Sequence, residues 1–99
     1  MDKLYNLLQK IGHLPEIYLG TKSLHLLQAF LNGYIEYHYE MTGESSSFFL
    51  PEFQKYIEKN FNVTTTHSWA SIIILNSSSE EEAFENFYKL LIEFFELEK

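Results

Sequence analysis

Four histidines (His13, His25, His38 and His67) and fourteen acidic residues are the first side chains of this 99-residue chain to test for proton transfer or metal binding. No two histidines stand at the spacing of a His-Glu-x-x-His helix. Glu36-Tyr37-His38 also lacks the three-residue step from Glu to His that carboxylate-bridged metal bundles use. A Ser–His–Asp relay fails on inventory, because the one Asp is Asp2, at a terminus where chains fray, although a Glu can in principle substitute. The absence of cysteine removes thiol catalysis, thiolate zinc sites and disulfides together. Gly12, Gly20, Gly33 and Gly43 are too dispersed to cradle a phosphate. The expectation is a non-catalytic protein with no catalytic residue, no metal ligand and no cofactor. The opening left by spacing is a pair of glutamates brought together by the fold.

Charge says more about partners than about chemistry. The net charge is −7, and all seven basic residues are Lys. Without Arg, the chain lacks the planar, bidentate donor suited to phosphates and bases, and its negative field repels nucleic acid while attracting a basic protein. The second half is the more acidic, with nine acids against four Lys after residue 50 and five against three before it. The first residues show neither the basic start nor the apolar run of a secretory signal. No apolar stretch approaches the roughly 20 residues that span a bilayer. A cytoplasmic protein with no nucleic-acid or membrane partner is expected, of a size that buries about 60–65% of its unfolded surface.

The elements that must position these side chains read as helices. At 45% apolar and 17% aromatic residues, the chain can close a core in a single domain over 1–99. Leu4, Leu7, Leu8 and Ile11 follow helical spacing, with Gly12 and then Pro15 as stop signals. The link from His13 to Gly20 reads as irregular, and its Ile17, Tyr18 and Leu19 need cover from the core. Thr21 or Ser23 can cap a second helix whose stripe of Leu24, Leu27, Leu31, Tyr34, Ile35 and His38 runs to about Met41. His38 therefore reads as a hydrogen-bonded core histidine, and Gly33 as the point of a close helix–helix contact. Gly43 to Ser47 is expected to be a loop.

Pro51 suits the first turn of a third helix with Phe53, Tyr56 and Ile57 inside, closing near Phe61, and Asn62 to Thr66 reads as a link. Ser68 to Leu75 fits a strand by its three isoleucines, but a lone strand has no partner here, which favours a buried helix. Ser79 and Glu82 form a capping-box pair at the start of the last helix, where Glu80 to Glu82 also complement the helix dipole. That helix sets Phe84, Phe87, Tyr88, Leu91, Phe94 and Phe95 on one face and Glu82, Glu85, Glu93 and Glu96 on the other, with Lys89 placed to pair with Glu85 and Glu93. The fold class is all-α, a compact bundle of about five helices.

Two acidic faces are the candidate binding residues. Glu36 and Glu40, flanked by Tyr37 and Tyr39, have the composition of a protein interface, where Tyr is enriched, although the tyrosines could instead complete the core. Glu82 and Glu85 form the other face, which can equally be a solvated helix start.

Ile11 to Tyr34 (IGHLPEIYLGTKSLHLLQAFLNGY) carries a Pro-x-x-Tyr-Leu-Gly turn and a helix with Phe-Leu-x-Gly-Tyr. It is followed by Phe53-Gln-Lys-Tyr-Ile, Ser68-Trp-Ala-Ser-Ile-Ile and Ser78-Ser-Glu-Glu-Glu-Ala-Phe. Together these segments resemble small bacterial immunity proteins of polymorphic toxin systems, those of contact-dependent growth inhibition among them. His13 departs from the pattern, which has a basic residue before the Leu-Pro pair. The resemblance implies a protein that binds and blocks its cognate toxin, such as a nuclease with a basic active-site cleft. The toxin-binding residues would be Glu36, Tyr37, Glu40, Glu82 and Glu85. The alternative is a generic helical interaction or regulatory module without a toxin partner.

Overall fold

The computed structural model describes residues 3–45 and 48–97. Among these there are six helices and no strand: α1 (Lys3–His13), α2 (Pro15–Leu19), α3 (Leu24–Thr42), α4 (Leu50–Asn60), α5 (Trp69–Leu75) and α6 (Glu80–Leu97). The expected loop over Gly43–Ser47 is described as far as Ser45, and Ser46, Ser47 and Asp2 lie outside the described residues.

The apolar spacing of α1 buries Leu4, Leu8 and Ile11 completely. Gly12 does not stop this helix, which continues to His13, with the Leu14 N–H still bonded to the Lys10 carbonyl at 3.1 Å. The expected irregular link is mostly the short helix α2. Pro15 opens it, since a residue at the first helical position needs no N–H, and Gly20 at φ 84° ends it. Tyr18 and Leu19 pack on the core as expected, whereas Ile17 points to solvent and is 73% exposed.

Ser23, not Thr21, caps α3: its hydroxyl accepts the Leu26 N–H at 3.2 Å and donates to Glu80 Oε1 at 3.2 Å. One buried serine therefore closes the start of α3 and ties it to the start of α6. Leu24, Leu27 and Leu31 face the core, and Gly43 at φ 72° ends the helix. Gly33 makes no close helix–helix contact, because a Cβ there would meet nothing within 4 Å. The close approach lies at Gly12, whose Cβ would fall 2.9 Å from Cε1 of Tyr88. His38 departs from expectation as well. Its ring packs edge-on against Phe48 at 5.0 Å, and its buried Nδ1 has no hydrogen-bond partner among the described residues.

Phe53 is the centre of the core. Its ring lies 5.4–6.3 Å from those of Phe49, Tyr56, Trp69, Phe87 and Phe94, so α4, α5 and α6 meet around it. Aromatic pairs at such separations add about 0.5–1.5 kcal/mol each beyond their burial, which helps a short chain hold together. Segment 69–75 is the helix that the lack of a strand partner favoured. Ile72 and Ile73 are both buried because α5 is enclosed by α3, α4 and α6, and this tertiary cover overrides the strand preference of isoleucine. Ser68 caps α5 through the Ser71 N–H at 3.2 Å. Gln54 of α4 reaches across to complete that start, accepting the Trp69 N–H at 2.6 Å and donating to the His67 carbonyl at 3.1 Å.

The start of α6 is capped nearly as its spacing predicts. Ser79 Oγ accepts the Glu82 N–H at 3.0 Å, but the Glu82 carboxylate returns to Ser78, taking its N–H at 3.0 Å and its hydroxyl at 2.8 Å. The reciprocal arm of the box is thus displaced by one residue. At the other edge, Tyr88 donates its hydroxyl to the Leu8 carbonyl at 2.6 Å, and Tyr5 meets Phe95 at 4.4 Å, which pins α1 onto α6.

Candidate functional site

Glu36, Tyr37 and Glu40 are all exposed on the outer side of α3, and none of their side chains makes a hydrogen bond or ion pair among the described residues. Tyr37 is 61% exposed, so it does not complete the core. Leu26, Gly33, Tyr37 and Met41 follow one another at steps of 7, 4 and 4, which places them on a single strip of α3. All four are solvent-exposed, and Glu36 and Glu40 run beside them. Tyr39, also exposed, lies on the far side of the glutamates. The face thus combines two free carboxylates with apolar and phenolic surface that no other helix covers among the described residues.

Glu82 and Glu85 occupy a different place. The Glu82 carboxylate is spent on the cap of α6, and the Ser78 N–H and hydroxyl hold its pKa below the ordinary carboxylate value. Glu85 pairs with Lys22 at 3.7 Å, and this is the ion pair formed among the described residues. The pairs expected from Lys89 to Glu85 and Glu93 do not form within ion-pair distance there. Because Ser23 bonds to Glu80, Glu82 and Glu85 sit near the end where α3 and α6 both begin, whereas Glu36 is roughly 18 Å further along α3. The five residues therefore form two faces rather than one patch.

Beside Glu85 the structure holds a feature that the sequence did not announce. A cleft of about 310 Å³ opens between the last turn of α1 and α6. Gln9, Gly12 and His13 form one side and Phe84, Glu85 and Tyr88 the other, with Lys22 at its edge. Tyr88 lies so near Gly12 that a Cβ there would fall 2.9 Å from its ring, and the phenol forms part of the wall. Burial raises the Tyr88 pKa, and its hydroxyl is directed into the protein, to Leu8, rather than into the cleft. Lys22 also borders a second, polar depression of about 430 Å³ with Thr21, Glu16, Glu80 and Glu81. The only signal for the cleft in the sequence was Gly12, which has the composition of a helix stop and the role of a contact.

Among the described residues no three His, Asp or Glu side chains converge as a metal site, and no helix is long and apolar enough to cross a membrane. No protein-family model, curated protein or solved structure matches the chain.

Proposed function

We propose that this chain is a non-catalytic binding protein that neutralises a toxin domain by laying the outer face of α3 on a basic surface of that partner. The observation that carries the reading is the unpartnered strip of Leu26, Tyr37 and Met41 beside the free carboxylates of Glu36 and Glu40. Tyr at the centre of an interface gives a large, stiff contact, and flanking charge adds steering and register. A chain of net charge −7 approaches a cationic cleft faster than a neutral one would, with the advantage falling as salt rises. The interior is filled by Phe, Leu and Ile side chains, and both depressions open at the surface, which favours recognition over small-molecule chemistry. The toxin as target rests on the sequence resemblance of the Pro-x-x-Tyr-Leu-Gly and Ser-Trp-Ala-Ser segments.

The test is co-expression with the product of the gene immediately upstream, followed by co-purification and a growth assay. The expected result is a stable complex and protected cells, with both lost in Glu36→Lys/Glu40→Lys. Undiminished toxicity in cells making the wild-type chain would refute toxin neutralisation. Complex formation without protection would instead identify an interaction module with another task.

A further inference from the structure

We propose that the cleft between α1 and α6 receives the guanidinium of an arginine side chain presented by a protein partner, with Glu85 as its carboxylate and Lys22 as the resident cation it displaces. This deepens the reading above, and rests on it only for the identity of the molecule that carries the arginine.

Three observations converge on a cation. The Lys22–Glu85 pair is long, at 3.7 Å, and its side chains are 38% and 54% exposed. Such a pair is worth little and yields readily to a better-fitting donor. Lys22 also has somewhere to go. It stands between two depressions, and the second is bordered by Glu16, Glu80 and Glu81, so an ammonium leaving Glu85 swings into a field of three other carboxylates. The entering charge thus gains Glu85 while Lys22 keeps acidic surroundings. An anion entering the cleft would instead meet Glu85, with Glu16, Glu80 and Glu81 in the depression on the other side of Lys22, on a chain of net charge −7.

The walls select among cations. Phe84 and Tyr88, with ring centroids 5.2 Å apart, supply the aromatic side of the cleft. A planar, weakly hydrated guanidinium can lie along aromatic surface and still offer two N–H groups to one carboxylate, whereas a compact ammonium keeps its water. Gln9 also lines the cleft and carries an amide oxygen able to accept a further guanidinium N–H, and His13 is the remaining ionisable group there. Gly12 keeps the wall open because it brings no side chain into the space in front of the Tyr88 ring. The cleft volume, about 310 Å³, is at the small end of ligand pockets and suits one side chain rather than a cofactor.

The experiment is an NMR titration of the isotope-labelled full chain with N-acetyl-arginine amide and, in parallel, its neutral isostere N-acetyl-citrulline amide. The expected result is saturable shifts at the Gly12 and Glu85 amides, with arginine binding about tenfold more tightly than citrulline. Lys22→Met, which removes the competing cation, should bind arginine roughly threefold more tightly, and Glu85→Gln should abolish the preference over citrulline. Equal binding of the two probes, or no gain in Lys22→Met with an otherwise unchanged spectrum, overturns the proposal. Neither result touches the α3 reading, whose own test is the Glu36→Lys/Glu40→Lys complex. Conversely, arginine selectivity in the cleft with no complex upstream would retain the cleft and remove the toxin partner.

Discussion

Replacing Gly12 by Ala puts a methyl carbon 2.9 Å from Cε1, 3.0 Å from Cζ and 3.4 Å from Cδ1 of Tyr88. The ring cannot simply swing away. Its hydroxyl is bonded to the Leu8 carbonyl at 2.6 Å, and Phe84 and Phe87 lie 5.2 and 5.0 Å from its centroid. Forcing a methyl into such a contact costs about 1–3 kcal/mol. Losing the phenol hydrogen bond adds about 0.5–1.5 kcal/mol. Against this stands the helix propensity of Ala over Gly, at most about 1 kcal/mol and less in a last turn. The balance is a loss of about 0.5–4 kcal/mol. Gly33→Ala is the matched control, with the same substitution in α3 but no atom within 4 Å of the new methyl. It should gain about 1 kcal/mol. For a domain this size each 1 kcal/mol moves Tm by about 4–8 °C, so the two variants should move in opposite directions in thermal and urea unfolding. If Gly12→Ala is neutral or stabilising, the contact between α1 and Tyr88 is not as tight as described, and the account of the cleft wall fails with it.

Other substitutions test single links. Gln54→Met leaves the Trp69 N–H without its acceptor while keeping the volume of the side chain, and should cost about 1–3 kcal/mol in urea unfolding followed by the fluorescence of Trp69, the chain's one tryptophan. Burial raises the Tyr88 pKa in the folded protein, so its contribution is fully present below the ordinary phenol value of 10.0 and is lost as pH rises beyond it. Stability measured from pH 8 upward should fall less steeply in Tyr88→Phe than in the wild type; parallel curves would show that the phenol is not held neutral. Glu82 has the opposite sign. Its pKa is lowered by Ser78, so its contribution is present above the ordinary carboxylate value of 4.5 and disappears as pH falls through the lowered one. Glu82→Gln should flatten the acid limb of the stability curve, and an unchanged limb would remove Glu82 from the cap.

The long helices were legible because each states its own period and its own ends. Leu4, Leu8 and Ile11 in α1, Leu24, Leu27 and Leu31 in α3, and Phe84, Phe87, Leu91 and Phe94 in α6 all face the core as their spacing requires. Ser23, Pro51 and Ser79 mark the starts by local chemistry alone. The failures share a cause, which is that a partner distant in sequence decides the outcome. A five-residue helix such as α2 has too few turns to show a period, so Pro15 resembled a stop when it was a start. Gly12 takes the contact role expected of Gly33 because Tyr88, 76 positions away, packs on the first and nothing packs on the second. Gln54 looks like an ordinary surface residue of α4 until α5 is in place. Of the candidate residues, Glu36 and Glu40 could be placed on an exposed side of their helix from sequence, whereas Tyr37 could equally have completed the core until the packing of α3 was known. The capping task of Glu82 was half visible, in the Ser79–Glu82 spacing. The Lys22 partner of Glu85 and the cleft were not visible at all.

The bond from Tyr88 to Leu8 spans 80 residues, and the one from Ser23 to Glu80 spans 57. Both are made to α6, the last of the six helices to leave the ribosome. At about 5–20 residues per second, the 18 residues of α6 take about 1–4 s to be made after the preceding helices. During that interval Leu4, Leu8 and Ile11 have no cover from α6, and the Phe53 ring lacks its neighbours Phe87 and Phe94. The nascent chain therefore has no finished core here until α6 arrives, then gains the Phe53 cluster and the α1 clasp together. A stop codon or proteolytic cut within α6 would leave an open apolar half rather than a slightly shortened domain.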